Sequence, residues 1–286
     1  IAAIAVGSML FNVIYWVFGF LRMGTSGMTA QAYGRGDSAE TMLLLMRGLC
    51  VALAVALAVI VLQRPLLALA ISVMGVEPSL QPLVRTYFQI CVWGAPAMLC
   101  LYAFTGWFIG LQNTRITMTV SIVQNIVNIV ASLVLVYGLG MKIDGVATGT
   151  LIAQWGGLLV AASYAGLKHR GLLRSLSLRA VTRGEALMRF FNVNRDIFLR
   201  TLFLVAVNLF FVSAGATQGT VVLAVNTLLM QLFTLFSYVM DGFAYAGEAL
   251  CGKYAGAGDR TGFHATVRRL FVWGAILTTA HTAVYA

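Results

Sequence analysis

Charge is scarce in this chain: 10% of its 286 residues are Asp, Glu, Lys or Arg, and nine of them are acidic. A soluble domain carries about a quarter charged residues, so a water-facing globule is excluded. Of the four prolines, Pro65, Pro78 and Pro82 cluster in 63–87 and Pro96 stands in an apolar run, where it predicts a kink. The four cysteines, Cys50, Cys91, Cys100 and Cys251, form no CxxC pair and have no ligand spacing, so they read as buried free thiols. HExxH, a Walker loop, GxSxG and carboxylates paired at hydrolase spacing are all missing, and nothing points to an enzyme or a bound cofactor. Gly34-Arg35-Gly36-Asp37 reads as a turn before a helix start, not as a phosphate cradle.

What fills the chain instead is apolar sequence, 60% of all residues. Eight long runs, 1–21, 42–62, 88–111, 117–138, 145–167, 197–215, 220–249 and 267–286, are each near the ~20 residues a helix needs to cross a bilayer. Runs this long and continuous are helical, because lipid offers the backbone no other partners. The 63–87 segment is expected as an outer loop holding a short interfacial helix, with tight outer turns at Gly138–Gly145 and Ala214–Gly219. The net charge of +10 does not indicate nucleic acid. When alternate loops are assigned to alternate sides, 16 Lys and Arg fall on one side, Arg22, Arg47, Arg200 and Arg269 among them. Three, Arg64, Arg85 and Lys142, fall on the other. The basic side is cytoplasmic by the positive-inside rule, with contact to anionic lipid a secondary role.

A weak repeat sets the organisation. Gly34, Gly36, Asp37 and Arg47 match Gly256, Gly258, Asp259 and Arg269 at one offset of 222 residues. Gly19-Phe20 matches Gly242-Phe243 with a one-residue shift. The copies lie six spans apart and so run in the same direction, as in transporters built from parallel repeats. The expected fold is all-α and integral to the membrane, with eight helices of twelve in two parallel-repeat lobes. Residues 1–167 belong to an N-lobe, 168–196 form a basic cytoplasmic linker, and 197–286 begin a C-lobe. The chain starts and stops inside apolar runs and is expected to be an internal piece of a longer protein, missing one helix in front and three behind.

Polar groups inside spans are costly and become functional candidates. Asn125, Asn128 and Ser132 follow an i, i+3, i+7 pattern beside Gln124, and Thr148, Thr150 and Gln154 occupy the next span. Their oxygens suit a hard cation such as Na⁺, or they join helices by hydrogen bonds. Asp241 and Glu248 share one face of the seventh span, near Tyr238 and Tyr245. Arg200 is placed to pair with Asp241, either as a static ion pair or as part of a carboxylate site that takes up H⁺ or Na⁺, while Asp196 competes for it at i, i+4. His169 and His264 read as solvated loop residues, and Trp16, Trp93, Trp107, Trp155 and Trp273 as packing or interface anchors.

Several stretches resemble the DinF-like branch of the MATE (multidrug and toxic compound extrusion) family. Phe20-Leu21-Arg22-Met23-Gly24-Thr25 with Thr29-Ala30-Gln31-Ala32 is similar to the end of that family's second helix. Asn125–Val130 and Asp144–Thr150 resemble its fifth and sixth, Asn194–Leu202 the start of its seventh, and Met240–Ala249 its eighth. The resemblance covers the chain in order. It implies a bacterial inner-membrane antiporter, monomeric, that exports amphipathic and often cationic organic compounds against H⁺ or Na⁺. In that family Asn128 and Thr150 would match cation-site residues, whereas Ser132 stands where relatives carry Asp. A lipid-linked oligosaccharide flippase of the same superfamily is the alternative. It calls for a strongly cationic cavity, and Arg200 is the basic candidate inside a span.

Overall fold

The computed structural model describes residues 2–174, 178–181, 184–217 and 220–285, and every regular element among them is helical. Six helical segments are long and apolar enough to cross a membrane: Ala3–Gly34, Ser38–Val61, Gln81–Gly110, Thr114–Gly138, Ile143–Lys168 and Val225–Ala257. The chain is thus a multi-pass membrane protein. The two remaining expected spans fall on the helices Gly184–Thr217 and Arg260–Tyr285, of 34 and 26 residues.

The first span is bent. Helix α1 (Ala2–Val17) passes into α2 (Phe20–Gly34) through Phe18 and Gly19. There Phe18, Gly19 and Leu21 donate to the carbonyls of Tyr15, Trp16 and Phe18, tightening the turn to i, i−3 bonds. α3 (Ser38–Val61) leads to the short α4 (Gln63–Val73) and then to α5 (Gln81–Cys91). The third span begins at 81, earlier than the apolar run suggests, because Pro82 suits a helical first turn and Val84, Tyr87, Phe88 and Cys91 bury one face. At Pro96, where a kink is expected, the helical bonding changes locally. Proline has no N–H for the Val92 carbonyl, so residues Val92–Gly94 narrow to a 3₁₀ turn and Ala95 bonds that carbonyl instead. α6 (Ala95–Gly110) is the most enclosed helix, with α7 (Thr114–Leu133) and α8 (Ile143–Lys168) beside it.

The 168–196 linker contains helix: α9 (Arg170–Arg174), α10 (Leu178–Val181) and the first turns of α11 (Gly184–Thr217). α11 starts thirteen residues ahead of its apolar run, anchored by fully buried Phe190 and by Asn194, whose side-chain amide donates to the Phe190 carbonyl at 2.7 Å. Arg47, counted with the loop cations, is 3% exposed on α3. It pairs with Glu40 at 2.8 Å and donates to the carbonyls of Ala180 at 3.2 Å and Val181 at 3.4 Å, so it fastens the linker to α3. Arg183 and the end of the expected Ala214–Gly219 turn lie outside the described residues; α11 continues to Thr217.

α12 (Thr220–Ala257) and α13 (Arg260–Tyr285) complete the chain. The junction between them repeats the junction of α2 and α3. Gly36 and Gly258 have φ of +73° and +70°, the left-handed helix cap that glycine tolerates without strain. Asp37 N–H bonds the Ala32 carbonyl and Asp259 N–H the Tyr254 carbonyl, both at 3.0 Å. The Asp37 side chain then accepts from Glu40 N–H, and that of Asp259 from Gly262 N–H, both at 2.9 Å. Two elements of the repeat differ: Arg269 is exposed where Arg47 is clasped, and α12 runs unbroken through Gly242 where the first copy bends at Gly19.

Leu57, Val61, Leu133, Phe203, Phe210 and Leu228 stand exposed around the bundle, a rim suited to lipid tails. Because lipid removes the hydrophobic drive between helices, small residues set the contacts. On α6, Gly106 lies against the Arg22 carbonyl and Gly110 against Thr29 and the Ser26 carbonyl of α2.

Candidate functional site

Two polar regions lie inside the bundle. The first is a cavity of about 240 Å³ between α1, α5, α7 and α8, lined by Ser8, Asn12, Tyr15, Gln124, Asn128, Thr150 and Gln154 among others. Asn128 donates its amide to Thr150 Oγ1 at 3.3 Å, and Thr150 donates to the Val146 carbonyl at 3.0 Å. Ser8 and Tyr87 share a 3.1 Å hydroxyl contact. Gln154 Oε1 and Tyr15 Oη are buried without partners. The donors are neutral oxygens suited to a hard cation by type, with no carboxylate to supply charge. Among the described residues no group of three His, Cys, Asp or Glu is placed to hold a metal.

Of the expected polar face, Asn128 and Thr150 meet here. Asn125 does not: it is exposed, and its amide turns back to the Ser121 carbonyl at 2.8 Å. α7 meets α8 along the i, i+4 row, so Gln124 takes the cavity position that the i, i+3 spacing gave to Asn125. Ser132 lies beyond the cavity in the α7–α8 contact, against Gly149, with its hydroxyl buried and unpartnered.

The second region lies on α12. Asp241 and Glu248 are half-buried and line one groove of about 670 Å³ with Leu270, Phe271, Gly274 and Ala275 of α13. The Glu248 carboxylate rests on α2 at Gly27, where an added Cβ would stand 3.2 Å from its oxygen. Tyr245, between the two carboxylates, accepts a hydrogen bond from Arg22 Nη2, and the guanidinium lies 4.3 Å from its ring centroid. Helix continues twelve residues past Arg22 to Gly34, and the guanidinium is turned toward α12, with its Nε buried.

Arg200, expected as the partner of Asp241, is exposed and makes no ion pair with it. Asp196 pairs with Arg195 at 3.2 Å instead. Tyr238, three residues before Asp241 and seven before Tyr245, lies along the same face of α12 but is 72% exposed. Trp16, Trp93, Trp155 and Trp273 are exposed as interface anchors would be, whereas Trp107 is buried and donates to the Thr41 carbonyl at 2.8 Å. His169 is not a free loop residue: it packs edge-on to Trp107 at 5.0 Å. Burial, and then the Lys168 charge, hold its imidazole below the usual range.

The family model described as MatE matches residues 1–134. DNA damage-inducible protein F of Escherichia coli is 35% identical over 261 residues, covering 91% of this chain and 56% of that protein. The chain belongs to the MATE family. A probable multidrug resistance protein NorM of Rhizobium meliloti is 24% identical over 301 residues, covering all of this chain and 62% of the relative. Among solved structures, a MATE in the bent conformation superposes with a TM-score of 0.89 at 21% identity. An outward-facing multidrug resistance MATE transporter gives 0.86 at 20%. Each of these two alignments covers 99% of this chain and 63% of the solved one, and shows the shared fold. The chain thus spans between half and two thirds of the length of these relatives.

Proposed function

We propose that this chain forms the N-lobe, linker and opening helices of the C-lobe of a twelve-helix secondary antiporter. It exports amphipathic, often cationic organic compounds across the bacterial inner membrane in exchange for H⁺ or Na⁺, acting as a monomer. The helices Gly184–Thr217 and Arg260–Tyr285 serve as the sixth and eighth spans of the present chain. The observation that carries the reading is the pair of half-buried carboxylates, Asp241 and Glu248, facing a groove inside a membrane span. The neutral Asn128–Thr150 cavity supports a second ion-sensitive position in the N-lobe. Moving a two-state transporter from 1:99 to 99:1 needs about 5.5 kcal/mol of differential affinity, and an ion gradient supplies roughly 2.3 kcal/mol per charge per 100 mV.

The flippase reading keeps one observation in its favour, the buried guanidinium of Arg22. Two carboxylates stand within the same cluster, however, and leave it acidic rather than cationic. The test is efflux from vesicles containing the full-length protein, with H⁺ and Na⁺ gradients imposed separately. Export of a cationic dye driven by one gradient supports the antiporter; gradient-independent movement of a pyrophosphate-linked lipid, with no dye export, overturns it.

A further inference from the structure

Arg22 turns its charge into the helix bundle, toward α12. It precedes the end of α2 at Gly34 by twelve residues, roughly 18 Å of helix, in a helical segment long and apolar enough to cross a membrane. A guanidinium does not lose its proton in proteins, so this position is permanently positive and needs compensation. No carboxylate lies within ion-pair distance of it among the described residues; Glu40 and Asp196 pair with Arg47 and Arg195 instead. Its Nη2 is bound to the Tyr245 hydroxyl, its Cζ lies over the Tyr245 ring, and its Nε is buried without a partner.

The spacing on α12 explains how charge and carboxylates are kept apart. Asp241, Tyr245 and Glu248 follow an i, i+4, i+7 pattern and share one face. Tyr245 occupies the middle of that face and holds the guanidinium with a phenol bond and a cation–π contact rather than a buried ion pair. Two ionised carboxylates and one guanidinium carry a net charge of minus one, the deficit that a single H⁺ or Na⁺ neutralises. A direct Arg–Glu pair would have to be broken before an ion could bind, at the large cost of separating buried charges.

We propose that Arg22 is a tethered counter-cation of the α12 carboxylates, held off them by Tyr245, and that it sets how tightly they take the coupling ion while bridging α2 and α12. Arg22 is then a positioning residue, and this role rests on the reading that Asp241 and Glu248 carry ion coupling.

The test uses full-length protein in proteoliposomes and measures initial export rate against coupling-cation concentration. Arg22→Gln removes the competing charge and lowers the apparent KM for the cation about tenfold, with a reduced maximal rate. Arg22→Lys keeps the charge and leaves KM near the wild-type value. Tyr245→Phe removes the phenol bond, lets the guanidinium settle toward Glu248, and raises KM several-fold; this variant decides the matter where Arg22→Gln does not fold. An unchanged KM in Arg22→Gln or in Tyr245→Phe, accompanied only by a lower melting temperature, overturns the proposal and leaves Arg22 a structural pin. Separately, coupling that survives in both Asp241→Asn and Glu248→Gln removes the carboxylate reading itself. Coupling lost in those two without a KM shift in the Arg22 and Tyr245 variants removes only the role of Arg22.

Discussion

Gly34 and Gly256 each lie on the backbone of the other's helix. A Cβ at Gly34 would strike the Lys253 carbonyl, and one at Gly256 the Gln31 carbonyl. Residues 31 and 34 stand to 253 and 256 at the same 222-residue offset as the repeat, so the contact is reciprocal, the signature of a two-fold relation between like surfaces. A neighbouring pair, Gly252 against Ala30, extends the seam. Close approach of backbones through small residues is how helices associate in lipid.

Gly34→Ala and Gly256→Ala are therefore expected to destabilise by similar amounts, each about 1–3 kcal/mol as for overpacking of a tight contact. Gly36→Ala meets nothing within 4 Å but must hold φ at +73°, and costs about 1 kcal/mol through backbone strain alone. Thermal melts of the three variants in detergent check this. A neutral Gly34→Ala beside a damaging Gly256→Ala contradicts the reciprocal seam.

How far the sequence discloses this arrangement depends on the residue. Apolar runs near twenty residues long reveal spans because lipid leaves the backbone no alternative, and the glycine–aspartate repeat was visible because a left-handed cap demands glycine in both copies. Arg22 was not legible. It follows an apolar run, so it reads as the end of a span; only its contact with Tyr245 shows the charge turned into the bundle. Side-chain direction was the other blind spot. Asn125 and Gln124 are adjacent in sequence, and the contact with α8 decides which enters the cavity. Arg200 and Asp241 lie at similar expected depths, and depth alone does not bring them together.

Arg47 gives a test of how the linker is held. Its guanidinium bonds Glu40 and two carbonyls at the end of α10, and charge-assisted bonds of this kind contribute about 1.5–3 kcal/mol each when buried. Arg47→Ala is expected to speed amide hydrogen exchange across Leu178–Val181 at least about tenfold and leave α6 unchanged. Equal exchange in both proteins contradicts the clasp.

His169 gives a pH test outside the membrane spans. Its imidazole is held below the ordinary value of 6.5, so the native state binds fewer protons than the unfolded state just below that pH. Stability contributed by neutral His169 is present above pH ~6.5 and is lost on acidification through the depressed folded value. The melting temperature is expected to fall between about pH 7.5 and pH 5.5, and His169→Phe, which keeps an aromatic ring against Trp107, should fall less. Parallel curves for the two proteins refute the assignment.

Asp241 and Glu248 share a groove but differ in surroundings, since Glu248 also rests on α2 at Gly27. Asp241→Asn in the full-length protein is expected to cut ion-driven export by at least about tenfold, as for loss of a group worth ~1.4 kcal/mol in the rate-limiting step, with expression preserved. Gly27→Ala should mimic part of the loss by displacing the Glu248 carboxylate. Export at the wild-type rate in Asp241→Asn removes that residue from the coupling site.

The neutral cavity can be separated from packing by changing charge and hydroxyl independently. Thr150→Val keeps the shape and removes the oxygen that accepts from Asn128, leaving that amide without its partner at a cost of about 1–3 kcal/mol. If the cavity takes a cation, Thr150→Val lowers the apparent affinity for that ion more than it lowers the melting temperature would suggest. Ser132→Asp acts differently, because Ser132 faces Gly149 in the α7–α8 contact rather than the cavity. A carboxylate there is squeezed between helices and should destabilise the fold by several kcal/mol as a buried unpaired charge does, without changing ion preference. Altered Na⁺ selectivity in Ser132→Asp, with stability intact, would show that α7 turns its Ser132 face into the cavity during transport, and that the helix contact seen here belongs to one state of the cycle.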